Sequence, residues 1–202
     1  MSARASGATV RAATAADAEP LSQTLARAFH DDPLMLHLLR NAEARPKNMP
    51  RLFKLLFKLG LPHGACYVTS GFEAATLWRP PNGWHVHLSD YILNAPALLS
   101  VFGGGVFTVM STMDIVEKVH PKTPHWYLQV IGTDPAHQGK GFASLIMRDQ
   151  LARADAAHMP CYLESSKESN IPIYKAFGFA VTGEIKIPNG PTLWPMWREP
   201  RT

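Results

Sequence analysis

Apolar residues recur at helical spacing over residues 18–29, where Ala18, Leu21, Leu25, Ala28 and Phe29 share a face. Thr14-Ala15-Ala16-Asp17 ahead of them has capping-box spacing. His30-Asp31-Asp32-Pro33 ends the helix, because proline keeps the residue before it out of helical geometry. The pattern predicts further helices over 34–39 and 50–59, the second with a basic edge of Arg51, Lys54 and Lys58. Residues 1–8 read as a loose tail, followed by a short strand over 9–12. Residues 65–69 and 74–78 are β-rich runs, and the turn Ser70-Gly71-Phe72-Glu73 between them suggests a hairpin.

Beyond residue 88 the pattern becomes more regular. Residues 88–120 predict two helices broken at Gly103-Gly104-Gly105. Residues 125–132 read as a buried strand, and 139–157 as a helix with Ala143, Ile146, Met147, Leu151, Ala154 and Ala157 on one face. A strand over 160–164 follows, then a short helix over 170–177 that Gly178 caps. Residues 179–187 and 193–198 flank the turn Pro188-Asn189-Gly190-Pro191 and read as a closing antiparallel pair. Strands alternating with helices imply an α/β fold over a mixed sheet. No repeat or linker-like run divides the chain, so one domain over 1–202 is expected.

Composition narrows the function classes. The chain has 202 residues, 46% hydrophobic and 18% charged, which is a globular balance. A net charge of +4 favours anionic ligands. The basic residues are interspersed with acidic ones, so no nucleic-acid partner is expected. The most apolar stretch, 91–109, contains Asn94, Pro96 and three glycines, which argues against a membrane span. Without a secretory pattern at the N-terminus, the cytoplasm is the expected location. Cys66 and Cys161 read as buried thiols outside any metal-ligand spacing. His85 and His87 alternate on a possible strand, but no ligand set can be assembled around them, so no metal is expected.

The sharpest chemical feature is Asp134-Pro135-Ala136-His137-Gln138-Gly139-Lys140-Gly141-Phe142-Ala143, between a strand and an amphipathic helix. Gly139 and Gly141 remove side chains where backbone must approach a ligand. The unpaired N–H groups of the following helix converge on a spot that favours an anion, and Lys140 adds charge. This is a pyrophosphate cradle. The dinucleotide fingerprint fails because Ser144 stands at its last small position, and the P-loop fails because Gly141 follows Lys140.

The run Gln138-x-x-Gly141-x-Ala143 after Asp134-Pro135 resembles the acetyl-CoA motif of the GNAT superfamily of N-acetyltransferases. A second stretch, Glu164-Ser165-Ser166 and Asn170 to Phe179, resembles the superfamily's second cofactor-contacting strand and helix. Within it, His125-Trp126-Tyr127-Leu128, the glycine turn and Leu193-Trp194-Pro195-Met196-Trp197-Arg198 look most like puromycin N-acetyltransferase and its relatives. The resemblance implies a GNAT fold: a mixed central sheet, helices on both faces and a splayed parallel strand pair. It implies acetyl-CoA as cosubstrate. Ile131, Gly132 and Thr133 would hold the pantetheine arm, and Gln138, Gly139, Lys140, Gly141, Phe142 and Ala143 the pyrophosphate. Asn170 would bond the CoA arm, with an N-cap as its plainer role, and Tyr174 would protonate the departing thiolate.

The acceptor implied is a primary amine of a small molecule, attacking directly in a ternary complex. The alternatives are a protein N-terminus or lysine, or a non-catalytic CoA sensor. No motif marks the general base. Glu164 ranks first from its place at a strand end, ahead of Glu117, His120 and Asp32. Trp78, Trp84 and Trp126 are expected to line an enclosed acceptor pocket. The chain is expected to be a monomer or a homodimer.

Overall fold

The computed structural model describes residues 7–84 and 88–201. His85 and His87 therefore lie outside the described residues, as do six residues of the expected N-terminal tail. Strands β1 (Val10–Ala12), β2 (Cys66–Thr69), β3 (Ala74–Arg79) and β4 (Trp126–Thr133) run antiparallel to one another. β5 (Cys161–Ser165) joins β4 in parallel, and β8 (Thr192–Arg198) closes on β5 antiparallel. β6 (Ala180–Val181) and β7 (Ile185–Lys186) both pair with β8. The order across the sheet is β1-β2-β3-β4-β5-β8-β6.

One expected element divides. Residues 179–187 form two two-residue strands, β6 and β7, rather than one. Thr182, Gly183 and Glu184 break the run, and the Thr182 N–H and hydroxyl both turn to the Pro195 carbonyl.

Side-chain alternation sends one set of residues to each face. Cys66, Val68, Ala75, Leu77 and Val130 pack with α1 (Ala18–Ala28), α2 (Pro33–Leu38) and α3 (Arg45–Gly60). Tyr67, Ala74, Trp78, Leu128, Leu163 and Met196 pack with α6 (Phe142–Ala156) on the other. Leu128 and Val130 are two apart yet face opposite ways. The register shift between Leu77 and Trp78 explains this, because Leu77 pairs Val130, Trp78 pairs Leu128 and Gln129 is the extra residue. A bulge beside a site re-aims side chains in this way.

Helix α3 starts at Arg45, a turn before the expected residue 50, with Pro46 in its first turn where no N–H partner is needed. Pro50 then sits inside the helix. Asp32-Pro33 ends α1 as expected and also starts α2, with Asp32 Oδ1 accepting from the Met35 N–H at 3.0 Å. The Thr14 box forms, with the Thr14 N–H donating to Asp17 at 2.7 Å, and it leads through a 3-10 turn into α1. Arg11 pairs with the same Asp17 carboxylate at 2.7 Å and holds its pKa far below the usual range.

The apolar stretch forms α4 (Leu88–Phe102) and α5 (Val106–Val119), joined by a 3-10 turn at Gly103–Gly105. Gly103 has φ +52°, a left-handed conformation that glycine adopts without penalty. By length and composition Leu93–Val119 would suffice to cross a membrane, with mean hydropathy 1.5. The glycine turn divides it, and residues of both helices line a cavity.

Candidate active site

The parallel strands β4 and β5 are paired at Trp126 with Cys161 and Tyr127 with Tyr162, and at no later position. β4 continues to Thr133 and β5 to Ser165, so the two strands splay beyond the paired end. That opening is the centre of the site. Gly132 lets α1 reach it, because a Cβ there would stand 2.8 Å from the Ala28 Cβ and 2.9 Å from Leu25.

On the α6 side of the opening lies a groove of about 600 Å³. Ile131, Gly132, Thr133, Gln138 and Gly139 line it, as do Gly141, Phe142, Ala143, Asn170 and Tyr174. Gly139 (φ +74°) and Gly141 (φ +86°) are left-handed, so each favours glycine for its backbone. Gly141 is the N-cap of α6 and makes no side-chain cap, which leaves the first-turn N–H groups open to an anion. Asp134 anchors the turn by accepting from Ala136 at 3.0 Å and pairing with Arg27 of α1 at 2.6 Å. The Thr133 hydroxyl is buried without a partner, an orphan that a ligand would satisfy. These features fit acetyl-CoA.

Lys140 departs from the expected set. It lies outside the groove lining, and its ammonium donates back to the Ala136 carbonyl at 2.9 Å. Asn170 stands at the α7 (Ile171–Ala176) N-cap, but its side chain makes no cap bond and faces the site instead. Sequence reasoning missed Phe29, Ser144, Lys167 and Ile173 as lining residues. Ser144 follows the glycine motif directly and Ile173 lies inside the Asn170 to Phe179 stretch, whereas Phe29 and Lys167 carried no motif.

A second cavity of about 260 Å³ opens from the other side. Phe29, Asp32, Ile131, Asn170 and Tyr174 line both, so the two chambers meet there. Tyr174 is set by the end of α7. Gly178 (φ +95°) and Phe179 donate to the Lys175 and Tyr174 carbonyls at 2.9 and 3.1 Å, closing the helix in a Schellman turn. Burial, with the Asp32 charge adding to it, raises the Tyr174 pKa above that of an ordinary phenol. The group therefore stays protonated at neutral pH.

Tyr162, Glu164 and Ser166 project from one face of the β5 segment, away from Cys161 and Leu163. The Glu164 side chain is 7% exposed, lines the second cavity, and leaves Oε1 without a hydrogen bond. The Ser166 hydroxyl donates to Asp32 Oδ2. Burial raises the Asp32 pKa despite that bond. Both carboxylates thus stand together at the end of β5. Burial and the Glu164 charge push the Tyr127 and Tyr162 phenols well above their ordinary pKa.

Behind Glu164 runs a chain of imidazoles. His125 Nδ1 donates to the Thr123 carbonyl at 2.6 Å, so its Nε2 accepts from His120 Nε2 at 3.0 Å. His120 Nδ1 lies 3.4 Å from Glu164 Oε1 without hydrogen-bonding it, and Trp84 stacks on the ring at 3.7 Å. Glu117, the other expected candidate, is exposed on α5 and outside both linings. The expected tryptophan lining is corrected. Trp78 is fully buried on the α6 face, Trp126 packs against that same cluster, and Trp84 covers His120. Leucines and methionines line the cavity in their place. Burial lifts the Cys66 and Cys161 thiols to about 11 and about 12, and neither lines a chamber, so neither is a nucleophile for this site.

Comparison with known proteins agrees with this geometry. Residues 115–199 match the acetyltransferase (GNAT) domain family. An uncharacterized N-acetyltransferase of Schizosaccharomyces pombe is 28% identical over 93% of this chain and 82% of its own length. A solved structure titled histone acetyltransferase HPA2 and related acetyltransferase, from Corynebacterium glutamicum, is similar with TM-score 0.75 and 27% identity, covering 96% of this chain and 97% of that one. Arylalkylamine N-acetyltransferase 2 of Aedes aegypti shares the fold, with TM-score 0.68 and 12% identity over 96% of this chain and all of that one (100%). The splayed strands, the glycine turn and these likenesses identify the chain as an acetyltransferase with the GNAT fold.

Proposed function

We propose that the chain moves the acetyl group of acetyl-CoA to a primary amine of a small molecule, by direct attack in a ternary complex. The observation that carries this reading is the meeting of two chambers at Asp32, Asn170 and Tyr174. One suits a pyrophosphate and a pantetheine arm, and the other is a lined cavity with carboxylates at its inner end.

In this reading the backbone near Ile131 to Thr133 orients the thioester carbonyl, and positioning supplies much of the rate. Glu164 takes the proton from the amine, directly or through a water. The nitrogen forms its bond to the acetyl carbon as the carbon–sulfur bond breaks. Tyr174 gives its hydroxyl proton to the leaving thiolate and regains one from the acylated nitrogen, which sheds its second proton to become the neutral amide. The likeness to puromycin N-acetyltransferase rests on the sequence motifs and adds no acceptor to this reading.

Proteins of similar structure include a histone acetyltransferase and related acetyltransferase, an arylalkylamine N-acetyltransferase and a polyamine N-acetyltransferase. A lined cavity favours a small acceptor over a peptide laid across an open groove. The test is release of CoA thiol from acetyl-CoA against a panel of small amines and lysine peptides. Release with small amines supports the reading. Release with peptides alone favours a protein substrate, and tight CoA binding without release favours a sensor.

A further inference from the structure

The acceptor cavity is chemically divided. Among its described lining residues the charged ones are Asp32 and Glu164, and both stand at the end of β5. Glu164 Oε1 is buried and makes no hydrogen bond, though His120 Nδ1 faces it at 3.4 Å, so it can still accept from one ammonium. Away from that end the wall is mostly hydrocarbon and carries no charge, with Asn94 of α4 and Gln129 of β4 as uncharged polar members. Leu52, Leu56 and Leu59 come from α3, Leu98 from α4, and Val109 and Met113 from α5. A second charge on the acceptor would have to leave water for this wall with no counter-charge to meet it.

We infer that the acceptor is a monoamine whose remainder is a hydrocarbon tail, held with its ammonium at Glu164 and Asp32 and its tail among α3, α4 and α5. This rests on the acetyltransferase reading above and adds the substrate class. Polyamines, amino acids and lysine peptides carry further charge or backbone polarity and fit this wall poorly.

Matched pairs of amines test the inference, such as octylamine against 1,8-diaminooctane, with the rate read as CoA thiol release. Burial of apolar surface predicts that kcat/KM rises roughly three- to fourfold per methylene from propylamine until the cavity is filled. The monoamine should exceed the diamine by at least about tenfold. Met113→Glu should shrink or reverse that ratio, because it supplies the missing counter-charge. Met113→Phe keeps the wall apolar and should shorten the tail length at which kcat/KM peaks, which reads the same wall if the glutamate variant fails to fold. A diamine turned over as well as the monoamine, or no gain with tail length, overturns the tail assignment while leaving amine acetylation standing. Failure of every amine in the series overturns both.

Discussion

The two chambers are built by different means. The cofactor groove is formed by consecutive residues: a left-handed Gly139, a left-handed Gly141 and the uncapped start of α6. Its donors are backbone groups, so the requirement falls on glycine and on spacing. The acceptor cavity draws side chains from α2 to α5, from α7 and from three strands, and its requirement is largely for apolar bulk that many sequences satisfy. A site made of backbone leaves a motif. One made of dispersed side chains leaves composition.

The largest expected effect attacks the groove. Gly141→Asp puts a side chain on a left-handed residue, at about 1–2 kcal/mol, and a negative charge where an anion should bind. Calorimetry should show loss of the Tm increase that acetyl-CoA gives the parent protein, with turnover abolished and alkylamine binding kept. Loss of amine binding as well would mean the chambers are not separable.

Glu164→Gln acts on the other chamber. Turnover at pH 7 should fall by about a hundredfold or more, with part of the loss recovered at high pH as more amine arrives deprotonated. A pH–rate profile measures this, and a loss constant across pH would make Glu164 a positioning group. Tyr174→Phe should lower kcat by about a hundredfold or more with CoA affinity kept, which single-turnover kinetics resolves.

The legible part of the molecule follows the same division. The glycine turn, the break at Gly103 and the Gly178 cap were readable because each forces a left-handed backbone. Asn170 and Tyr174 were readable from motif order. Lys140 was read as a phosphate contact from its charge beside the glycines, and in this structure its ammonium donates to the Ala136 carbonyl. The acceptor wall was not legible: tryptophans drew attention, but Trp78 and Trp126 pack on the α6 face, Trp126 through a bulge at Gln129 that no local pattern announces, and Trp84 stacks on His120. Asp32 read as part of the helix stop before Pro33 and as one of the lower-ranked base candidates. Its place in both linings depends on Ser166, 134 residues away.

Asp32 gives the smallest effect and links the chambers. Its folded pKa is raised by burial, so its ionised form opposes folding at neutral pH and the penalty lifts as pH falls through the raised value. Asp32→Asn keeps an N-cap residue and removes that charge. Thermal melts at pH 7 should show equal or higher stability, with the gain over the parent vanishing in acid, while KM for the amine rises. A clear loss of stability at pH 7 would show that the carboxylate's bonds to Ser166 and Met35 outweigh its burial.

The central claim is that cofactor and amine enter from opposite chambers and meet at Tyr174. A crystal structure with a bisubstrate analogue, an octylamine joined through an acetyl link to the CoA sulfur, tests it most directly. The account predicts the pyrophosphate against residues 138–143, the linking carbonyl beside Tyr174, and the octyl chain between α3 and α5. An octyl chain lying in solvent, or a pyrophosphate away from the glycine turn, would contradict it.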